Sequence, residues 1–241
     1  VTGMRLNVNW RFPALHPEAV AFYRDAEREL ARRFYFDTPH VRLFKKPEEI
    51  ALWQKRMLDP GVMRHVNAGA PSPLVDERVF ANPLGGFEQR DAGYLDTAAF
   101  LAASRARFEQ TGAWQRGEVR PEEVRADAGG IEWSGMRFST VVMCEGWEAA
   151  RHPWFDWVPF QSALGTVLGV SVDIAETRVV NRGCWLLPRH EGGFLAGPTY
   201  ELRFASPHTP SEKAVAGLEE RIRSLLRVPF TITSSQTAVR P

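Results

Sequence analysis

Ser139-Thr-Val-Val-Met-Cys-Glu-Gly-Trp147 is followed by Pro159-Phe-Gln-Ser-Ala-Leu-Gly-Thr-Val-Leu-Gly-Val170. Then comes Cys184-Trp-Leu-Leu-Pro-Arg-His-Glu-Gly-Gly-Phe-Leu-Ala-Gly-Pro-Thr-Tyr-Glu201. The first piece is a short apolar run ending in Gly146. It predicts a buried strand whose tip leaves bare backbone for something to approach. The other two read as sheet strands, the last folded on itself at Gly192-Gly193.

Working outward, the elements alternate irregularly. Pro17 is expected to start a helix through Phe22, Tyr23, Ala26 and Leu30, which recur at helical spacing. Tyr35 to Phe44 reads as a strand interrupted by Pro39, and Pro47-Glu48-Glu49 opens a second helix. Asp59 to Gly93 is rich in Pro and Gly and reads as a long irregular excursion or a set of short strands. Asp96 is a good N-cap for a third helix, which Gly112 stops. Gly117 to Arg125 is read as strand and turn. Ile131 to Phe138 and Ser139 to Cys144 are read as strands. Thr209-Pro-Ser-Glu212 reads as a capping box before an apolar stripe at Val215, Leu218, Ile222, Leu225 and Leu226. Pro229 ends that helix, and Phe230 to Thr233 is a last strand. Adjacent strand pairs among helices predict an α+β fold with a mixed sheet rather than a regular βαβ barrel.

The 241 residues suffice for one large domain or two small ones. Thirty Lys and Arg against 29 Asp and Glu leave a net charge of +1, so no electrostatic case exists for nucleic acid or an anionic membrane. No apolar run approaches the roughly 20 residues that span a bilayer, and no secretory signal is visible. A cytoplasmic protein is expected. Cys144 and Cys184, each placed in a predicted strand, lack metal-ligand spacing and are read as buried free thiols, with a disulfide between them as the alternative. The histidines are scattered, so no metal site is expected.

In order and spacing, these anchors resemble the D-amino-acid-oxidase/glycine-oxidase superfamily of FAD-dependent oxidoreductases over nearly the whole chain. Val1-Thr-Gly-Met-Arg5 with Trp10 resembles the loop after the first Rossmann unit. Gly93-Tyr-Leu-Asp96 with Phe100-Leu101 resembles a helix entry. Gly117-Glu-Val119 and Val142-Met-Cys-Glu-Gly146 resemble two strands that meet the dinucleotide. Pro159-Phe160 through Gly165 resembles the crossing to the substrate sheet. Leu187-Pro-Arg189 and Gly197-Pro-Thr199 resemble the sheet itself, and Ala238-Val-Arg-Pro241 resembles a "Gly-hydrophobic-Arg-Pro" motif. The chain departs from the family pattern in three places. No G-x-G-x-x-G phosphate turn occurs in it, Ala238 replaces a common Gly, and Leu164-Gly165 lacks a common Lys. Together with its Val1 start and its end at Pro241, this leads to its being read as a fragment, without the N-terminal phosphate cradle or the C-terminal end.

The resemblance implies FAD as cofactor and a small-molecule amine or amino acid as substrate, oxidised at a C–N bond by hydride transfer to the flavin. It implies that Val119, Cys144, Glu145 and Gly146 meet the cofactor. It also implies that Arg240 clamps a substrate carboxylate and that Trp185 lies over the substrate pocket. A guanidinium fork suits a carboxylate because its donors match both oxygens. The residues by themselves leave other roles open: a solvated arginine, a strand-end Glu145 reaching water, a core tryptophan. No catalytic acid, base or triad is nominated, since the flavin carries the redox chemistry. The expected division is a partial FAD-binding domain over 1–34, 93–159 and 230–241, with a substrate-binding domain over 35–92 and 160–229. Two other readings stay open. One is a flavin-free small-ligand or partner-binding module. The other is a flavin enzyme acting on an amine of a modified tRNA base, against which the near-zero charge weighs.

Overall fold

The computed structural model describes residues 12–127 and 129–241. The expected loop at Val1–Arg5 and Trp10 lies outside them. The centre is a seven-stranded sheet in the order β12-β8-β11-β10-β9-β2-β3. Its strands are β2 (His40–Leu43), β3 (Gly86–Gln89), β8 (Ala163–Ser171), β9 (Val179–Asn181), β10 (Trp185–Pro188), β11 (Phe194–Gly197) and β12 (Thr231–Arg240). All neighbours are antiparallel except β2 with β9. Two smaller sheets accompany it. One pairs β1 (Tyr35–Asp37) with β4 (Gly93–Leu95), and the other is a meander of β5 (Arg125–Asp127), β6 (Gly130–Trp133) and β7 (Met136–Phe138). With helices α1 (Phe12–Glu29), α2 (Pro47–Arg56), α3 (Pro60–Met63), α4 (Thr97–Gln110) and α5 (Glu212–Leu225), this is the α+β architecture expected.

Side chains alternate across a sheet, so each strand serves two faces. One face of the large sheet carries Val41, Leu43, Leu168, Val170, Val180, Leu186 and Ala196 into the main core. Helix α5 covers that face, with Leu218, Ile222 and Leu225 fully buried. Their three- and four-residue spacing places them on one side of the helix. Burying each contributes about 1.5–3 kcal/mol. The cap is Ser211, whose hydroxyl accepts from the Ala214 N–H at 3.1 Å; Pro210 stands outside the helix rather than at its first position. On the opposite face Val179 and Leu187, with Trp185 and Leu195, meet Phe36 and Tyr94 of the β1–β4 pair.

Pro39 divides the predicted strand into β1 and β2, which join different sheets. Lacking an N–H, Pro39 offers only its carbonyl, which accepts from Val179 at 2.9 Å. Helix α4 starts on Asp96, whose carboxylate accepts from the Ala99 N–H at 3.0 Å. The Gly192-Gly193 turn joins β10 to β11 with both residues at positive φ. A buried ion network ties the far edge of the sheet together. Arg178 donates to Glu176 from Nε (2.8 Å) and Nη2 (2.7 Å), and to Glu88 from Nη1 (2.6 Å).

Four expectations change. Helix α1 begins at Phe12, with Pro17 inside it. Ile131–Phe138 is two strands, because Ser134 and Gly135 both take positive φ and make the tight turn of a hairpin. The strand expected from Gly117 to Arg125 is absent: residues 117–120 are irregular, Pro121, which has no N–H for a ladder, opens a 3-10 turn, and β5 begins only at Arg125. Val141–Cys144 is not a strand either: no neighbouring strand is hydrogen-bonded to it among the described residues, and an apolar tetrapeptide holds extended structure only when a ladder partner satisfies its backbone. Val142 is therefore 78% exposed, and Cys144 is exposed rather than buried.

Candidate active site

The face of the large sheet turned away from α5 has a floor of two glycines. Gly165 lies in β8 and Gly197 ends β11. A Cβ on Gly197 would stand 3.0 Å from Trp185 Cζ2 and 3.2 Å from Val167 Cγ2, so the indole of Trp185 lies across this glycine toward β8. Gly165 is two residues from Val167 and shares its face. A Cβ on Gly165 would overlap Nη2 of Arg240 and stand 3.0 Å from its Nε and 3.1 Å from its Cζ. Arg240 and Trp185, 55 positions apart in sequence, are therefore brought to one face of one sheet, flanking the Gly165–Val167 stretch.

Arg240 pairs with Ala163 at the end of β12, the edge strand. Its side chain crosses β8 over the bare Gly165 backbone. Beyond β8, Nη2 donates to the Thr199 carbonyl at 2.8 Å, and the guanidinium lies 4.8 Å from the centre of the Tyr200 ring. The Thr199–Glu201 segment is itself fixed to β8. Thr199 N–H donates to the Thr166 carbonyl (3.0 Å), and Glu201 and Leu164 exchange backbone bonds of 2.8 and 2.9 Å. The Thr199 hydroxyl accepts from Thr166 N–H at 2.8 Å. Among the described residues Nε and Nη1 of Arg240 have no hydrogen-bond partner, so part of the fork is available to an incoming anion. Tyr200 and the requirement for glycine at 165 were not identified as site features in the sequence reading. An isolated glycine inside a strand run was the signal that could have revealed the second.

Of the described residues expected at the cofactor, Gly146 alone belongs to an element shown to contact β12. The 3-10 turn Gly146–Arg151 packs beside that strand. Gly146 has φ +59°, and no heavy atom lies within 4 Å of a Cβ built on it, so its backbone faces open space. The Glu145 carboxylate lies 3.6 Å from Nε2 of the buried His152. Trp154 N–H donates to Nδ1 of that ring at 3.2 Å, while Nε2 has no hydrogen-bond partner among the described residues. Cys144 precedes this turn in exposed coil, and Val119 is 45% exposed in the irregular segment before β5. The site thus gathers Arg240, Trp185 and Tyr200 on the sheet face, with the Thr199 carbonyl at its border. Gly146 and Glu145 lie in the turn region packed beside β12, while Cys144 and Val119 remain in open coil.

Two other concave or polar features differ chemically. A cavity of about 520 Å³ at the β3 edge is lined by Trp53, Asn67, Leu74, Asn82, Phe87 and Glu88 among others, with no cationic side chain to receive a carboxylate. Asp96, His190 and Glu191 bring one ligand atom each within 4.8 Å of one another, a grouping the sequence reading did not anticipate. Asp96 already caps α4, and Glu191 already pairs with Arg189 at 2.5 Å. No helix among the described residues is long and apolar enough to cross a membrane.

Comparison with known proteins gives the family and the fold. The DAO family profile, described as FAD dependent oxidoreductase, matches residues 5–241. Among solved structures, glycine oxidase from Geobacillus kaustophilus superposes with a TM-score of 0.75 at 18% identity, over 99% of this chain and 69% of that one. Glycine oxidase from Bacillus cereus gives 0.78 at 15% identity, over 98% and 70%. L-proline dehydrogenase from P. horikoshii gives 0.68 at 12%, over 99% and 70%. At such identities the likeness is one of fold.

Proposed function

We propose, from the premise that this chain belongs to the DAO family of FAD dependent oxidoreductases, that it serves the oxidation of a C–N bond in a small amino acid or related carboxylate-bearing amine. The carrying observation is Arg240, whose fork lies across Gly165 on the same sheet face as Trp185, with Nε and Nη1 unspent among the described residues. A carboxylate seated on it places the substrate's α-carbon above that face, and Trp185 supplies an apolar wall beside it. Orientation is the main contribution of these residues. Bound flavin supplies the two-electron acceptor for the hydride leaving the α-carbon.

The turn that begins at Gly146 adjoins the strand of Arg240, which supports placing the cofactor on that side. In this reading Gly146, Glu145, Cys144 and the Val119 backbone line the dinucleotide side, while the sheet face receives substrate. The division into flavin-binding parts (1–34, 93–159, 230–241) and substrate parts (35–92, 160–229) is proposed on the same ground. The sheet carrying Arg240 and Trp185 is the substrate half, with β12 the seam between the two.

The test is anaerobic titration of the flavin-loaded protein with glycine, sarcosine, proline and both enantiomers of alanine, each set beside its decarboxylated amine. Bleaching of the visible flavin band by at least one carboxylate-bearing amine, at concentrations where its decarboxylated partner is inert, is expected. Flavin that dithionite reduces but no amino acid does overturns the proposal.

A further inference from the structure

We infer that Tyr200 is a positioning residue for Arg240, holding the guanidinium flat so that its free edge faces the carboxylate of the substrate; this rests on the reading of Arg240 as the clamp. Tyr200 is 62% exposed, which by packing alone makes it an unremarked surface side chain. Its backbone, however, is fixed on both sides. Thr199 and Glu201 are hydrogen-bonded to Thr166 and Leu164 of β8, which leaves Tyr200 opposite Gly165. Thr199 and Glu201 therefore share one face, and Tyr200 points to the other, the face of Gly165 and Arg240.

Arg240 has to cross a whole strand to reach this point. Three features stop it there. Gly165 provides the clearance, the Thr199 carbonyl takes one Nη2 proton at 2.8 Å, and the Tyr200 ring faces the cation at 4.8 Å. A guanidinium attracted to a ring face keeps its in-plane donors free, because the attraction uses the face of the planar group and not its N–H bonds. A long, exposed arginine loses much rotamer freedom on binding an anion, and a ring that fixes it beforehand removes part of that cost. The phenolic hydroxyl has no part in this, so phenylalanine should substitute for tyrosine and leucine should not.

The experiment measures benzoate and benzamide affinities of the flavin-loaded protein by isothermal titration calorimetry. The ratio of the two reads how well the fork receives charge. Arg240→Ala should collapse the ratio toward one. Tyr200→Leu should lower it roughly two- to fivefold, the range of an exposed cation–π contact. Tyr200→Phe should keep it. For an amino-acid substrate, KM should rise by the same factor in Tyr200→Leu with kcat unchanged. Thermal melts confirm that each variant is folded, which the exposure of the side chain makes the expected result. If Tyr200→Leu keeps the wild-type ratio while Arg240→Ala collapses it, the positioning role is wrong and the clamp stands. An equal loss in Tyr200→Phe overturns the ring-face account. A ratio unchanged in Arg240→Ala overturns the clamp and the positioning role together.

Discussion

Replacing Gly165 with alanine tests the site through its floor. The added methyl would overlap Nη2 of Arg240 and lie 3.0 Å from Nε and 3.1 Å from Cζ, inside ordinary carbon–nitrogen contact. Something must move, and the guanidinium is the flexible end of a long side chain whereas β8 is hydrogen-bonded on both sides. Displacing the fork by about 1 Å takes the 2.8 Å bond to the Thr199 carbonyl past hydrogen-bond length and misaligns the Tyr200 contact. A hydrogen bond to a charged group contributes about 1.5–3 kcal/mol, and exposure of Arg240 argues for the lower end. The expected loss of carboxylate affinity is thus about 1–2 kcal/mol, a factor of roughly 5–30. Stability should move the other way. Gly165 does not occupy the left-handed region, so alanine fits its backbone and reduces the freedom of the unfolded chain, a gain of about 0.4–1 kcal/mol. Benzoate calorimetry and urea denaturation on the same preparation give both quantities. Unchanged benzoate affinity with lowered stability would mean that β8 yielded rather than Arg240, and would refute the reasoning.

Three other outcomes are expected. Arg178→Met should cost about 3–5 kcal/mol in urea unfolding, because it strands the Glu88 and Glu176 carboxylates, 6% and 11% exposed, without their cation; a loss below 1 kcal/mol would show the network to be solvated. His40 is buried on β2, with burial first and the Arg42 charge second pushing its pKa down from 6.5 to about 4. The unfolded chain therefore binds the proton more readily between these values, so stability should rise from about pH 4 to 6.5, by up to about 3 kcal/mol, and His40→Leu should flatten that limb of the pH profile. Burial pushes the Cys184 thiol up to about 11, while Cys144 is exposed, so a disulfide reagent should modify one thiol in the folded protein; Cys144→Ser should abolish that reaction, and a residual native thiol would contradict the burial of Cys184.

Much of the local structure was legible because it is set by neighbours in sequence. Asp96 and Ser211 cap their helices through bonds three residues away, and Gly192-Gly193 turns a hairpin because glycine adopts positive φ without a Cβ penalty. The error at Val141–Cys144 has the opposite cause. Its four apolar residues satisfy strand propensity, but a strand also needs a partner, and partnership is not a local property. The hairpin at Ser134-Gly135 was legible in principle from its turn residues, yet the apolar run around it concealed the break.

The sequence by itself determined the helices with their caps, the α+β class, the near-neutral surface, and the order of motifs from Gly93 to Arg240 that pointed to a flavin-dependent family. Tertiary structure alone decided what Arg240 touches. By residue type and place near the chain end it could be any solvated arginine, and only the motif resemblance singles it out. The antiparallel pairing of β12 with β8 brings it over Gly165, and its guanidinium donates to the Thr199 carbonyl, 41 positions away, beside Tyr200. Register across strands is fixed by the packing of whole faces against the core, so the spacing of Arg240, Gly165 and Tyr200 along the chain carries no trace of the contact they make.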